Sequence, residues 1–241
     1  MKRSRLVIFA AALVGALGTA RLGWWQLDRA AQKTQWATEQ AQRSELPALN
    51  ADTLAHDPTQ VGAQVHRRVR LEGQWQPAHT VYLENRTMNG RTGFYVLTPL
   101  TLQDGSSVIV QRGWQPRDMT DRTRVVDSPT APGWVRLEGR VAAGPSRLFE
   151  LQSAPGADAS RIRQNLDLEE FARQTRLKFR PLAIVQDTHV GPSDGLLRDW
   201  PVPASDVHKH YGYAFQWFAL CALTIGLYVW FQIIRPRRRA H

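Results

Sequence analysis

The sequence predicts a membrane-anchored α+β protein, in which two transmembrane helices flank a mainly antiparallel β extracytoplasmic domain with one or two helices. Two apolar runs, 6–25 and 210–234, lie near the ends of the 241-residue chain. Each is about long enough as a helix to cross a hydrocarbon core of ~30 Å. Alternating apolar and polar residues recur in the sequence between them, which indicates β-strands.

Basic residues orient the predicted anchor. Lys2, Arg3 and Arg5 precede the first apolar run, and four arginines follow the second. Because basic residues beside a transmembrane helix are retained in the cytoplasm, both termini are expected there. The predicted order is a cytoplasmic tail over 1–5, a transmembrane helix over 6–25, a periplasmic β-rich domain over 26–209, a transmembrane helix over 210–234 and a cytoplasmic basic tail over 235–241.

The same terminal residues account for most of the net charge of +10. The chain has 31 Lys and Arg against 21 Asp and Glu, and seven of the basic residues lie at the two ends. The middle section is therefore close to neutral. Since it also lacks a basic stripe interleaved with aromatics, nucleic-acid binding is not expected.

The first apolar run also fits a cleaved signal peptide. Lys2 to Arg5 would form its basic region, Leu6 to Leu17 its apolar region, and 18–20 a small-residue cleavage site. A retained helix is the other interpretation, since Trp24 and Trp25 stand where an outer aromatic belt belongs.

Small residues recur at every fourth position of the first run, at Ala12, Ala16 and Ala20. This spacing suits close packing against another transmembrane helix, although ordinary alanine richness explains it equally well. The single cysteine, Cys221, lies in the second run, so the sequence predicts no disulfide in the outer domain.

Local patterns outline the middle section. The polar run 28–44 favours helix and is predicted to continue the first span until Pro47 ends it. The segments 94–98 and 108–110 are rich in β-branched and aromatic residues, and the Asp-Gly turn signal at 104–105 predicts that they form a hairpin.

Two further signals concern a turn and a helix. Asn89-Gly90 predicts a tight turn. Asp167 is a candidate N-cap for a helix that has Glu169 and Glu170 in its first turn. Those two glutamates are adjacent and point in different directions on a helix, so they make a poor acid–base pair. No nucleophile–base constellation was found, and no enzyme is expected.

His210, at the outer end of the second run, is the strongest single candidate. Tyr213, Ala214, Trp217 and Cys221 fall on its helix face at steps of three or four. An ionisable residue at a membrane edge is a functional candidate, and neutral imidazole is a common axial ligand of haem iron. The alternative is that His210 is a polar interfacial anchor within an aromatic belt.

The strand end Arg112-Gly113-Trp114 is a weaker signal. Gly113 there suggests a bulge or a close approach of two backbones.

Five sequence motifs stand in order and are bracketed by the two spans. They occupy the segments 22–29, 93–100, 108–117, 167–172 and 210–218. Together they resemble the Surfeit locus protein family, the assembly factors of haem-copper cytochrome c oxidase. Gln111 and Gln32 depart from the family pattern, where Asn and Trp are usual.

The resemblance implies a role in maturing the catalytic subunit of the oxidase, around the insertion of haem a. His210 matches the histidine that is proposed to bind haem iron in some bacterial members. Arg29 is expected to pair with a haem propionate or with carboxylates of an oxidase subunit. The residues expected at the haem a site are His210, Tyr213, Trp217, Trp24, Gln26 and Arg29.

The expected partners are the catalytic subunit of cytochrome c oxidase, haem a synthase and the lipid bilayer. A bacterial inner membrane is the expected location, because the sequence starts almost directly with the span and shows no Arg/Ser-rich transit peptide. Two other functions stay open at this point. One is a pure scaffold for the nascent oxidase subunit without haem, and the other is a membrane-anchored periplasmic enzyme.

Overall fold

The computed structural model describes residues 2–121, 124–148, 160–187, 193–200 and 207–238. It divides into two compact units, one made of both ends of the chain (1–39 with 202–241) and one made of 40–201. The boundaries of 26 and 209 are predicted from the apolar runs, and they stay a prediction. Residues 191–192 and 201–206, and the side chains of the basic tail from 237 onward, lie outside the described residues.

The terminal unit consists of helices. α1 spans Lys2–Glu45, so the predicted continuation of the first span into the polar run is confirmed, and it stops before Pro47. α4 spans Val207–Val229 and continues through a π-helical turn, Trp230–Ile234, into α5, Arg235–Arg238. Both long helices contain stretches that are long and apolar enough to cross a membrane.

The π-helical turn has a local cause. Pro236 has no amide hydrogen, and its ring would clash with the carbonyl four residues earlier in a regular α-helix. The helix widens just before it, and the amide of Arg235 donates to the carbonyl of Trp230, five residues back. The widened turn lets the helix continue past the proline.

The second unit is mainly a sheet. After α1 come α2 (Pro58–Gln64) and β1 (Arg68–Trp75), and then a 3-10 turn, Pro77–His79. The later elements are β2 (Val81–Met88), β3 (Arg91–Leu102), β4 (Ser107–Pro116), β5 (Trp134–Ala142), β6 (Ile162–Arg163), α3 (Leu168–Thr175) and β7 (Phe179–Gln186).

Five strands close into a small barrel. They are neighbours in the order β1, β5, β7, β4, β3, and β1 pairs back onto β3, where Gly73 lies opposite Leu102 and Trp75 opposite Leu100. β2 extends the sheet beyond β3, and the short β6 lies beside β2.

The predicted mainly antiparallel sheet is confirmed for most strand pairs of the described residues, but the sheet as a whole is mixed. β4 runs parallel to β7, with Val110 opposite Ile184, and β2 runs parallel to β6. Parallel neighbours need a long crossover connection, and here α3 and a long stretch of chain separate β4 from β7. Local strand patterns do not report such a connection.

The hydrophobic core follows from the alternation of side chains along each strand. β1 alternates strictly, so one of its faces is exposed, whereas β3 and β4 are buried almost throughout. One apolar cluster fills the barrel and includes Val69, Leu71, Leu100, Val108, Leu137, Leu182 and Ile184. A second cluster lies where the other face of β3, β4 and β7 meets α3, and it includes Leu97, Ile109, Trp114, Phe171 and Ala183.

Three local predictions are confirmed. β3 and β4 form the predicted hairpin, with Thr98 opposite Val110. The Asn89-Gly90 turn joins β2 to β3, and both residues have positive φ. Asp167 is the N-cap of α3, where its carboxylate accepts hydrogen bonds from the amides of Glu169 and Glu170.

The Arg112-Gly113-Trp114 segment has a structural role. The register between β3 and β4 slips by one residue at Arg112, which is a bulge. A Cβ on Gly113 would lie 2.5 Å from the Cβ of Leu196, so glycine is needed for the close approach of the 195–197 segment. The indole of Trp114 is fully buried and donates to the carbonyl of Arg86 at 2.8 Å.

Candidate functional site

Gln26 and His210 meet at the ends of the two apolar runs. Nδ1 of His210 lies 2.7 Å from Oε1 of Gln26, although 184 residues separate them in sequence. Gln26 directly follows the apolar run of α1 and His210 opens that of α4, so an antiparallel pairing of the helices brings these polar side chains to the same level. We call them the His210–Gln26 pair.

Contacts along the helices show the antiparallel arrangement. The rings of Phe9 and Tyr228 lie 5.7 Å apart, and the thiol of Cys221 donates to the carbonyl of Ala16 at 3.3 Å. A Cβ on Gly15 would lie 3.8 Å from Thr224. The small residues of the first span thus face α4 of the same chain, which is the kind of packing that their spacing suits.

Gly23 and Phe218 make the closest approach near the pair. A Cβ on Gly23 would lie 2.8 Å from two ring carbons of Phe218. The ring of Phe218 also meets that of Trp24 edge to face, with centroids 5.9 Å apart. Sequence reasoning did not select Gly23 or Phe218 as site residues. A glycine inside an apolar helix next to tryptophans is the signal that points to such a contact.

The pair fixes the chemistry of the imidazole. The Gln26 amide is oriented with Oε1 toward the ring, and a carboxamide oxygen only accepts hydrogen bonds, so in this arrangement Nδ1 of His210 carries the hydrogen and donates it to Gln26. A neutral imidazole then has its lone pair on Nε2. Among the described residues, Nε2 of this ring has no hydrogen-bond partner.

The other expected site residues lie around the pair rather than in it. Trp24 is 60% exposed and Tyr213 is 51% exposed, whereas Trp217 is half-buried. The guanidinium of Arg29 lies 5.8 Å from the ring centroid of Trp25, and its Nη1 donates to Oε1 of Gln32 at 3.4 Å. The structure therefore brings together Gln26 and His210, and leaves Trp24, Tyr213 and Arg29 with exposed surfaces.

A comparison with protein families identifies the chain. The model of the SURF1 family matches residues 13–222, which include both members of the His210–Gln26 pair. The chain belongs to the SURF1 family. This confirms the resemblance to the Surfeit locus proteins that the five sequence motifs indicate.

Relatives in the SURF1 family resemble the chain over most of its length. It is 24% identical to a SURF1-like protein of Rickettsia felis over 217 residues, which cover 86% of this chain and 89% of that protein. It is 26% identical to Surfeit locus protein 1 of Takifugu rubripes, with 88% of this chain and 91% of that protein covered. For Surfeit locus protein 1 of Mus musculus the identity is 28%, over 88% of this chain and 70% of that protein.

Proposed function

We propose that this SURF1-family protein is a membrane-anchored, non-enzymatic assembly factor for haem-copper cytochrome c oxidase, which binds or protects haem a while the catalytic subunit matures. The observation that carries the proposal is the imidazole of His210, held through Nδ1 and open at Nε2, at the end of an apolar helix pair. Membership of the SURF1 family supports it, because the sequence motifs resemble those of oxidase assembly factors.

The residues around the pair fit a haem as cargo. Nε2 of His210 would hold the haem iron through its lone pair. The exposed rings of Trp24 and Tyr213 offer apolar surface to a macrocycle, and the exposed guanidinium of Arg29 suits a propionate. Haem a is here the cargo that the catalytic subunit receives, and the role of this chain is to hold it and to keep water from the iron.

The proposed location is a bacterial inner membrane, with both termini in the cytoplasm and the β-rich domain in the periplasm. The basic residues outside both apolar runs support this orientation, and the two long apolar helices support the anchoring. The proposed partners are the catalytic subunit of the oxidase, haem a synthase and the lipid bilayer.

Haem content tests the proposal directly. The full-length wild type, His210→Ala and the control His208→Ala are purified in detergent from cells that make haem a, and haem a per polypeptide is measured by absorption. His208 is exposed on the same helix, two residues away. We expect wild type and His208→Ala to retain haem a, and His210→Ala to lose most of it. Equal haem in all three variants would remove His210 as a ligand.

A scaffold without haem is the second candidate function, and the same geometry supports it. A hydrogen bond between two helices fixes their register whether or not the imidazole binds iron. The haem a content of the oxidase, measured in a strain that lacks the protein, distinguishes these two functions from an unrelated role. An oxidase with normal haem a in that strain contradicts both, whereas a depleted oxidase restored by His210→Ala favours the scaffold.

A further inference from the structure

We infer that Gln26 is a positioning residue, which holds His210 in the tautomer that leaves Nε2 free. The value of that tautomer for haem binding rests on the proposed function. The tautomer itself is inferred from the 2.7 Å contact and from the orientation of the Gln26 amide, whose Oε1 faces Nδ1. Gln26 was expected from the sequence to bind the cofactor. The structure places its side-chain oxygen against the imidazole of His210.

Packing limits the freedom of both side chains. Gln26 and His210 are half-buried, and the alanines one turn further along each helix, Ala30 and Ala214, are 0% and 2% exposed. Gly23, three residues before Gln26, lies against Phe218. The helix faces that carry the pair are packed at these neighbouring turns. The two side chains are therefore already restricted, and their hydrogen bond costs little further conformational entropy.

The kind of acceptor matters as much as its position. Histidine ligands of metals usually donate their second ring hydrogen to a carboxylate, a carbonyl or water, and the partner tunes how strongly the ring donates electrons. Gln26 offers a neutral carbonyl, so the ring stays a neutral imidazole. A carboxylate at the same place would draw the Nδ1 hydrogen toward itself and raise the electron density on Nε2, which favours ferric haem.

The first test needs no haem. The full-length haem-free protein is labelled with ¹⁵N-histidine in detergent micelles, and the His210 signals are assigned by their loss in His210→Ala. We expect a hydrogen on Nδ1 in the wild type and in the control Gln216→Met, and a loss of this preference in Gln26→Met. Gln216 is an exposed glutamine on the same helix. A wild-type ring with its hydrogen on Nε2, or an unchanged ring in Gln26→Met, overturns the inference.

The second test uses the haem-loaded protein. Gln26→Met is expected to weaken haem retention by roughly ten- to a hundredfold, the usual cost of removing the partner of a metal-binding histidine. Gln26→Glu has the same shape as glutamine, and it is expected to retain haem with a lower midpoint potential. If wild type and Gln26→Met bind haem equally, with the same potential, the inference is overturned. If no variant binds haem, the proposed function fails, and the tautomer measurement still decides the role of Gln26.

Discussion

Arg112 and Asp194 form an ion pair that water hardly reaches. Nη2 of Arg112 lies 3.2 Å from Oδ2 of Asp194, and the two side chains are 2% and 4% exposed. Arg112 also donates to the carbonyls of Ser128 and Pro129, and Arg198 donates to the same carboxylate at 2.5 Å. One carboxylate thus pairs with two guanidinium groups and holds the 193–200 segment against β4.

Removal of this carboxylate is expected to destabilise the β-rich unit strongly. Asp194→Asn keeps the shape of the side chain but takes the carboxylate away from both guanidinium groups, at a cost of about 3–5 kcal/mol. The control is Glu72→Gln, because Glu72 pairs with Arg136 on the exposed face of the barrel. Urea unfolding of the full chain in detergent gives the unfolding midpoint of each variant. Equal midpoints for the two variants would contradict the assignment.

A methyl group on Gly113 is expected to disturb the same region. Gly113→Ala places a Cβ 2.5 Å from Leu196 and 2.9 Å from the carbonyl of Leu197, so the chain must shift, at a cost of about 1–3 kcal/mol. Gly62→Ala is the control, since its Cβ meets nothing within 4 Å inside α2, and alanine favours helix there. Thermal unfolding should show a lower midpoint temperature for Gly113→Ala and not for Gly62→Ala.

The contact between Gly23 and Phe218 can be tested through Cys221, the single cysteine of the chain. Gly23→Val requires the helices to move apart, because even a Cβ would meet the ring at 2.8 Å. We expect the Cys221 thiol, now half-buried and bonded to Ala16, to react several times faster with a maleimide. Gly18→Val should leave the rate unchanged, since the space around Gly18 is open. Identical rates in both variants would exclude the close contact.

Asp104 is expected to give the β-rich unit an acid-sensitive stability. The hydroxyl of Ser106, with its amide and the Arg180 guanidinium, lowers the pKa of Asp104 from 3.8 to about 2. Because the folded pKa is depressed, its stabilisation is present above about pH 4 and is lost as the pH falls through about 2. Its side chain is 43% exposed, so water screens the effect to about 1 kcal/mol.

Urea unfolding between pH 5 and 2 tests this dependence. Relative to wild type, Asp104→Asn should lose about 1 kcal/mol at pH 5 and little at pH 2. Ser106→Ala should change the profile in the same direction, because it removes the largest cause of the pKa shift. A constant difference between wild type and Asp104→Asn across the range would refute the role of this ionisation.

Local chemistry explains which parts of the fold the sequence predicts. The β3–β4 hairpin depends on a turn at Asp104-Gly105, and α3 begins where Asp167 caps it, so short patterns suffice. Two other features join segments that are distant in sequence. One is the closure of the barrel, where Gly73 lies opposite Leu102, and the other is the parallel pairing of β4 with β7. Strand patterns carry no information about such partners.

Only part of the candidate site can be predicted from the sequence, for the same reason. His210 is conspicuous as an ionisable residue at the end of an apolar run, and the motif containing Gln26 ends the other run. That the two form a hydrogen bond depends on the register of two helices far apart in sequence. The contact of Gly23 with Phe218 has the same origin, because only the packed helices show why that position lacks a side chain.

Closure of the barrel also limits how another protein can attach to the second unit. The unpaired backbone groups of an edge strand can bind a strand of another chain. In the barrel of β1, β5, β7, β4 and β3, the two end strands β1 and β3 pair with each other. Among the described strands, β2 and β6 lie outside the closed barrel, so a strand of another chain could pair at that edge of the sheet. Recognition elsewhere on this barrel must rely on side chains, so sequence changes there alter partner choice without touching the backbone framework.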